Sequence, residues 1–225
     1  MDDYPGIHAV HHSAMVLEWN GLAIYVDPHD GAPRFKAFPP PFLILITDIH
    51  GDHMDVATLQ DLDLTNAQII APPAVLKELP DDLRRIGTEL HNGGHTELKG
   101  MGVEAIPMYN LPDTNDARHP KGRGNGYVLT FGGKGGTRVY ISGDTEDIKE
   151  MRALRDIDIA FVCMNLPYTM TVDQAASAVL EFKPRVVYPY HYRGKEGMSD
   201  VGRFKKLVND GDPGIEVRME DWYKE

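Results

Sequence analysis

What this chain is short of narrows its chemistry first. It has one cysteine, Cys163, in 225 residues, so no intramolecular disulfide can form and a reducing, cytoplasmic compartment is expected. Cys163 lies in the apolar run Ile157 to Met164 and reads as a buried strand residue rather than a nucleophile. No apolar run approaches the roughly 18 residues that a membrane span requires. The start, Met1-Asp2-Asp3-Tyr4-Pro5, has neither the basic nor the apolar region of a secretory leader. Positive charge is also scarce: 23 Lys and Arg stand against 34 Asp and Glu, a formal charge of −11. A surface of that sign repels polyphosphate backbones, which argues against general nucleic-acid binding. The length suffices for one sizeable core and no shift in composition marks a linker, so residues 1–225 are expected to form one domain.

Short strand-like runs with turn punctuation fill the first half: Ala14 to Glu18, Leu22 to Val26, Phe42 to Thr47 and Ala67 to Ala71. Asn20-Gly21 reads as a tight hairpin turn, because both residues accept positive φ. Asp55 can cap a helix whose apolar face is Val56, Leu59 and Leu62, and a second short helix fits Pro73 to Leu79. Strands follow at Val103 to Met108, Tyr127 to Phe131 and Arg138 to Ser142, the last two joined by Gly132-Gly-Lys-Gly-Gly136. That segment has no helix after it, so it reads as a hairpin turn and not as a phosphate loop. Thr171 and Gln174 match a capping box for a helix that ends before Pro184, and Arg185 to Pro189 is a short strand running into His191. Sheets packed together with helices outside them, an α/β layered sandwich, account for this order.

The richest stretch is Asp48-Ile49-His50-Gly51-Asp52-His53, directly after the run Phe42 to Thr47. Imidazole and carboxylate are the side chains that hold Zn²⁺, Mn²⁺ or Fe²⁺, and a rigid strand end is a suitable place to present them. Loops after strands often collect Asp and Gly, but they have no need of paired histidines at this density. Further polar residues stand at other strand ends: His12, Asp27 before Pro28, His119, Asp144 in Ser142-Gly143-Asp144-Thr145, and His191. Taken alone, each has an ordinary explanation. A strand-end histidine is usually just hydrogen-bonded, Asp27 fits a turn, and Asp144 fits the start of a helix at Thr145 or Glu146.

Taken in order, these segments make the chain resemble the metallo-β-lactamase-fold hydrolases, in particular the branch of ascorbate-6-phosphate lactonase and its short metal-dependent relatives. That family carries His-x-His-x-Asp-His after an apolar strand, a further His, a bridging Asp in a Gly-Asp context, and a final His after a late strand. The matching residues run from about Ile7 to His191. The resemblance implies an αββα four-layer sandwich with two divalent metal ions, Zn, Mn or Fe, along one edge. One ion would take His50, His119 and what Asp48 can offer; the other would take Asp52, His53 and His191; Asp144 would bridge. Asp48 stands where the family has its first His, and Asn110 stands where many relatives place the third-motif His. The ligand is therefore assigned to His119, with His95 as the alternative. A ligating Asp48 is a harder donor than imidazole and should favour Mn²⁺ or Fe²⁺ over Zn²⁺, whereas an Asp48 that only accepts a hydrogen bond from a ligand histidine would leave one well-held ion.

The implied chemistry is hydrolysis by a metal-activated water, whose pKa falls from about 15.7 towards about 7. Asp52 and Asp144 would orient the nucleophile and His12 would donate to substrate or to a carboxylate, so these are the candidate catalytic residues. Lys121 and Arg123, beside His119 in a glycine-rich loop, and Tyr168 are candidates for binding a small anionic ester, lactone or phosphodiester. Assembly into a homo-oligomer is compatible with the sequence. Two other functions are weighed against this one: a nuclease of the same fold, which the charge disfavours, and a non-catalytic metal-binding or ligand-sensing module whose site has decayed at Asp48.

Overall fold

The structure, a computed structural model, describes residues 4–224. Met1 to Asp3, part of the stretch on which the expectation of no secretory leader rests, lie outside the described residues. Two sheets face each other. The first runs β1 (Gly6–His11), β2 (Ala14–Trp19), β3 (Leu22–Val26), β4 (Pro41–Leu45), β5 (Gln68–Ala71) and β6 (Gly87–Glu89), in sequence order from edge to edge. Its hairpin strands β1 to β3 are antiparallel and the pairs from β3 to β6 are parallel.

The second sheet contains β7 (His95–Leu98), β8 (Met101–Met108), β9 (Gly124–Phe131), β10 (Thr137–Ile141), β11 (Ile159–Cys163) and β12 (Val186–Tyr190). A two-residue ribbon, β13 (Arg193–Gly194) with β14 (Gly197–Met198), precedes the last strand, β15 (Glu216–Val217), which extends the second sheet beside β12.

Alternation along β2 shows how the layers are built. Met15 and Leu17 point into the core shared with the second sheet, while Ala14 and Val16 point the other way, towards the helices α1 (Val56–Asp61) and α2 (Pro73–Glu78). Leu59, Val75, Leu76 and Leu79 supply the helical side of that outer layer. The second sheet is covered in the same way, by Ala175, Ala176, Val179 and Phe182 of α5 (Val172–Phe182) and by Phe204 and Val208 of α6 (Val201–Gly211). Between α2 and α5 lie two single-turn helices, α3 (Asp81–Arg84) and α4 (Lys149–Arg152). The result is the expected αββα sandwich.

Most expected elements appear within a residue or two of their bounds, and Leu22–Val26 does so without a shift. Cys163 is wholly buried at the end of β11, and burial pushes its thiol up to about 12, so it is no nucleophile at neutral pH. The helix that Thr145 or Glu146 would have begun starts later, at Lys149. Strand β1, helix α6 and the short strands β6, β7 and β13 to β15 were not among the expectations. For α6 the signal was present, as an Asp200 cap followed by Phe204 and Val208 at helical spacing.

Asp55 caps α1 as its sequence position suggests, its Oδ1 accepting the backbone N–H groups of Ala57 and Thr58 at 3.1 and 3.2 Å. Its Oδ2 also accepts the Thr58 hydroxyl at 2.6 Å and the Asp30 N–H at 3.2 Å, which ties the loop after β3 to the helix after the His/Asp cluster. Asp55→Ala is expected to lower stability by about 1–2 kcal/mol, read as a shift in the urea midpoint at unchanged slope. A change below a few tenths of a kcal/mol would mean that the cap is not holding this corner.

Candidate metal centre

The strand ends of both sheets open onto one edge, and the polar residues collect there. Three of them leave their strands with left-handed backbones: His12 after β1 (φ 53), Asp27 after β3 (φ 46) and His191 after β12 (φ 46). A non-glycine residue in that region turns the chain sharply out of its strand at a cost of roughly 1–2 kcal/mol.

Asp144 sits in the middle. Its Oδ2 lies 3.3 Å from His53 Nε2 and 3.2 Å from His119 Nε2, and its Oδ1 lies 2.9 Å from His191 Nε2. Asp52 stands outside this group, with Oδ1 3.9 Å from His53 Nε2 and Oδ2 3.7 Å from His191 Nε2. On the other side Asp48 Oδ2 is 2.8 Å from His50 Nδ1 and 3.9 Å from His119 Nε2. Potential ligand atoms therefore converge in overlapping groups: Asp48, His50 and His119; His53, Asp144 and His191; and His12, Asp52 and His191. His95 is in none of them. It stands on β7 with its side chain 58% exposed, 4.0 Å from Glu97.

These residues fit a metal. His53 Nε2, His119 Nε2 and Asp144 Oδ1 are buried without a well-formed hydrogen bond, while His191 Nε2 also meets Asn165 Nδ2 at 3.0 Å. Lone pairs that face a common point instead of each other are what a cation satisfies. Around an ion with ligand bonds of about 2.1 Å, neighbouring ligand atoms stand about 3.0–3.4 Å apart, close to the separations around Asp144.

The outer partners prepare the imidazoles for this. His53 Nδ1 is 2.8 Å from Asp27 Oδ2, and Asp27 also accepts the Thr47 hydroxyl at 2.6 Å and the Thr47 N–H at 2.8 Å. Its wholly buried carboxylate thus accepts the Nδ1–H of His53 and leaves the Nε2 lone pair for a metal ion. Asn110 does the same for His119. Its Nδ2 donates to Tyr168 O at 2.9 Å and Glu146 Oε1 at 3.2 Å, which turns Oδ1 towards His119 Nδ1 at 3.1 Å. Neither Asp27 nor Thr47 was singled out as a site residue from sequence, although Asp27-Pro28 at a strand end was the available signal. Asp27→Asn is expected to weaken metal retention about 10–100-fold, measured by competition with a chromophoric chelator. Unchanged retention would remove Asp27 from the site.

Charge in the cluster is tightly coupled. Burial works against a charged His53, but Asp144, Asp27 and Asp52 outweigh it and hold its proton well above the usual imidazole range. Burial likewise opposes ionisation of Asp144 and Asp52, yet the neighbouring imidazoles, His191 and His53 for Asp144 and His53 first for Asp52, keep both carboxyls below the ordinary carboxylate range. His12 lies beside them, its Nε2 3.4 Å from Asp52 Oδ2, and burial lowers its pKa to about 4 against the pull of Asp52.

The loop residues expected to meet substrate are already engaged. Arg123 pairs with Asp48 in a fork, Nε to Oδ1 at 3.0 Å and Nη2 to Oδ2 at 2.8 Å, and its Nη2 is 3.4 Å from His50 Nε2. Gly124 permits that approach, since a Cβ there would stand 2.2 Å from Met108 Cε and 2.9 Å from Thr47 O. Lys121 is 3.2 Å from Glu150 Oε1 and lies over the Tyr109 ring. Tyr168 carries the Arg118 guanidinium over its ring at 4.3 Å.

Known proteins resemble this chain over most of its length. The model of the beta-lactamase superfamily domain matches residues 6–191. A protein of Pyrococcus abyssi named as a metal-dependent hydrolase is 32% identical, covering 88% of this chain and 90% of its own length. A solved structure from Parabacteroides distasonis is 40% identical with a TM-score of 0.84 over 98% of this chain and 94% of that one. Igni18, a metallo hydrolase of Ignicoccus hospitalis, is 25% identical with a TM-score of 0.80 over 98% of this chain and 96% of its own. Among the described residues no helix is long and apolar enough to cross a membrane. The sandwich, the strand-end cluster and these relatives lead to one statement: the chain belongs to the β-lactamase superfamily of metal-dependent hydrolases.

Proposed function

We propose that this protein hydrolyses a small anionic ester, lactone or phosphodiester at a centre of two divalent ions, Zn, Mn or Fe. The observation that supports the reading is the place of the Asp144 carboxylate between two groups of imidazoles, 3.2 Å from His119 on one side and 3.3 and 2.9 Å from His53 and His191 on the other. In this reading His50, His119 and Asp144 hold one ion with Asp48 beside it, and Asp52, His53, His191 and Asp144 hold the other. Bound there, such ions supply Lewis acidity and acidify water towards a pKa of about 7.

The chain's own residues supply orientation and charge. Asp27 and Asn110 fix the ring faces of His53 and His119. Asp48 already receives Arg123 and His50 on its oxygens, so it has little lone-pair capacity left for an ion. That supports unequal sites, the one beside Asp48 being the weaker. An anionic substrate is favoured by arginines parked on aromatic rings at the rim of an otherwise acidic protein: Arg118 over Tyr168 at 4.3 Å and Arg193 over Tyr223 at 4.1 Å. Stacking leaves the guanidinium edges free for carboxylate or phosphate oxygens.

The test is to strip the protein with chelator, reload it with each metal, count ions, and assay an ester, lactone and phosphodiester panel. Two equivalents, one held more weakly than the other, with turnover restored by at least one of Zn²⁺, Mn²⁺ and Fe²⁺ are expected. Full turnover without metal, or no turnover on any substrate class at full loading, would overturn it.

A further inference from the structure

The last residues of the chain reach the site from beyond the span that the family match covers, which ends at residue 191. Trp222 anchors them. It is wholly buried with its ring 5.6 Å from Tyr190 and 6.1 Å from Phe161, and its carbonyl accepts the His12 N–H at 3.0 Å. Tyr223 is thereby brought over the start of the ribbon that follows His191, where its hydroxyl oxygen accepts the backbone N–H of Tyr192 at 3.1 Å and of Arg193 at 2.8 Å.

Those two donors use both lone pairs of a phenolic oxygen. Its one proton is then left for the remaining neighbour, His12 Nδ1, at 3.0 Å. A ring nitrogen that accepts leaves the other nitrogen to donate, and His12 Nε2 faces Asp52 Oδ2 at 3.4 Å. The His12 ring has little freedom to do otherwise, since it also packs edge-on against His191 with centroids 4.0 Å apart.

We propose that Tyr223 is a positioning residue: through its hydroxyl it fixes His12 as an Nε2–H donor to Asp52, so that the aim of this carboxylate depends on the C-terminal tail. The order of donation runs from the two backbone amides to Tyr223, from Tyr223 to His12, and from His12 to Asp52. Each group has one place for its proton, so the chain of bonds has a single direction. The inference rests on the reading of Asp52 as a metal-holding residue for its consequence, though not for its geometry.

The experiment compares the zinc-loaded wild type with Tyr223→Phe, which keeps the ring and its stacking under Arg193. Two-bond ¹H–¹⁵N spectra of histidine-labelled protein report which ring nitrogen of His12 carries the proton. The wild type is expected to show an unprotonated Nδ1 and a protonated Nε2, and the variant a rise of the Nδ1–H form together with about tenfold weaker zinc retention. A purely packing role for Tyr223 would lower the melting temperature and leave ring pattern and retention unchanged, and that result overturns the proposal. An Nδ1-protonated His12 in the wild type overturns it without need of the variant. If ion counting finds one zinc instead of two, the ring spectra still decide the role of Tyr223, so the two readings fail separately.

Discussion

Asp144→Asn is expected to reduce turnover by about 10³-fold or more, a loss of at least roughly 4 kcal/mol of transition-state stabilisation. The substitution is nearly isosteric in a side chain that is 4% exposed, so little else should move. What changes is the donor set. A carboxylate offers lone pairs on both oxygens, whereas an amide presents one oxygen and an NH₂ that repels a cation and cannot face an imidazole lone pair without becoming its donor. The ion count should fall from two per chain to one or none, with loss of the added thermal stability that metal binding gives the folded state. Two retained ions with full turnover would show that Asp144 is a bystander.

The second large effect is expected at Arg123. Asp48 has no exposed surface, and the Arg123 fork is its strongest partner. Arg123→Met leaves that carboxylate buried with only the His50 ring and, at 3.9 Å, the His119 ring beside it, and the metal-free protein should lose about 3 kcal/mol, in the range for breaking a buried ion pair from one side. Asp48→Asn in the same chain should recover most of the loss, because the uncompensated charge is then gone. Metal titration separates the two roles of Asp48. If it ligates, saturating metal replaces the missing guanidinium and the loss shrinks; if it only orients His50, the loss persists at any metal concentration. Denaturation of the two variants with and without metal measures this, and an Arg123→Met chain as stable as the wild type would refute the buried-pair account.

Much of the frame was legible because it rests on short-range rules. Short strand-like runs with turn punctuation marked β2 and β3, Asp55 and the Thr171–Gln174 box marked helix starts, and the apolar run before Asp48 marked a buried strand ending in ligand-type residues. What could not be read were pairings across the fold. Arg123 lies 75 residues from Asp48, and nothing in either neighbourhood announces the partner. Asp27 resembled a turn residue because it is one, with φ 46, and its second role appears only when β4 sets Thr47 and the loop after it sets His53 against it. Asn110 looked like a lost ligand and instead holds the ring of His119. Tyr223 gave no local sign at all, since its importance comes from the burial of Trp222 next to it.

The left-handed backbones of His12, Asp27 and His191 set a conflict between heat resistance and chemistry at the same three positions. On backbone grounds alone, glycine would be the more comfortable residue at each, and selection for robustness by itself would drift that way. In the proposed reading it is their place at the site that keeps histidine and aspartate there. In lineages where this sandwich has been recruited as a mere scaffold, these three strand exits are where decay of the old site should be written first, ahead of the more relaxed positions of the His50 to His53 loop.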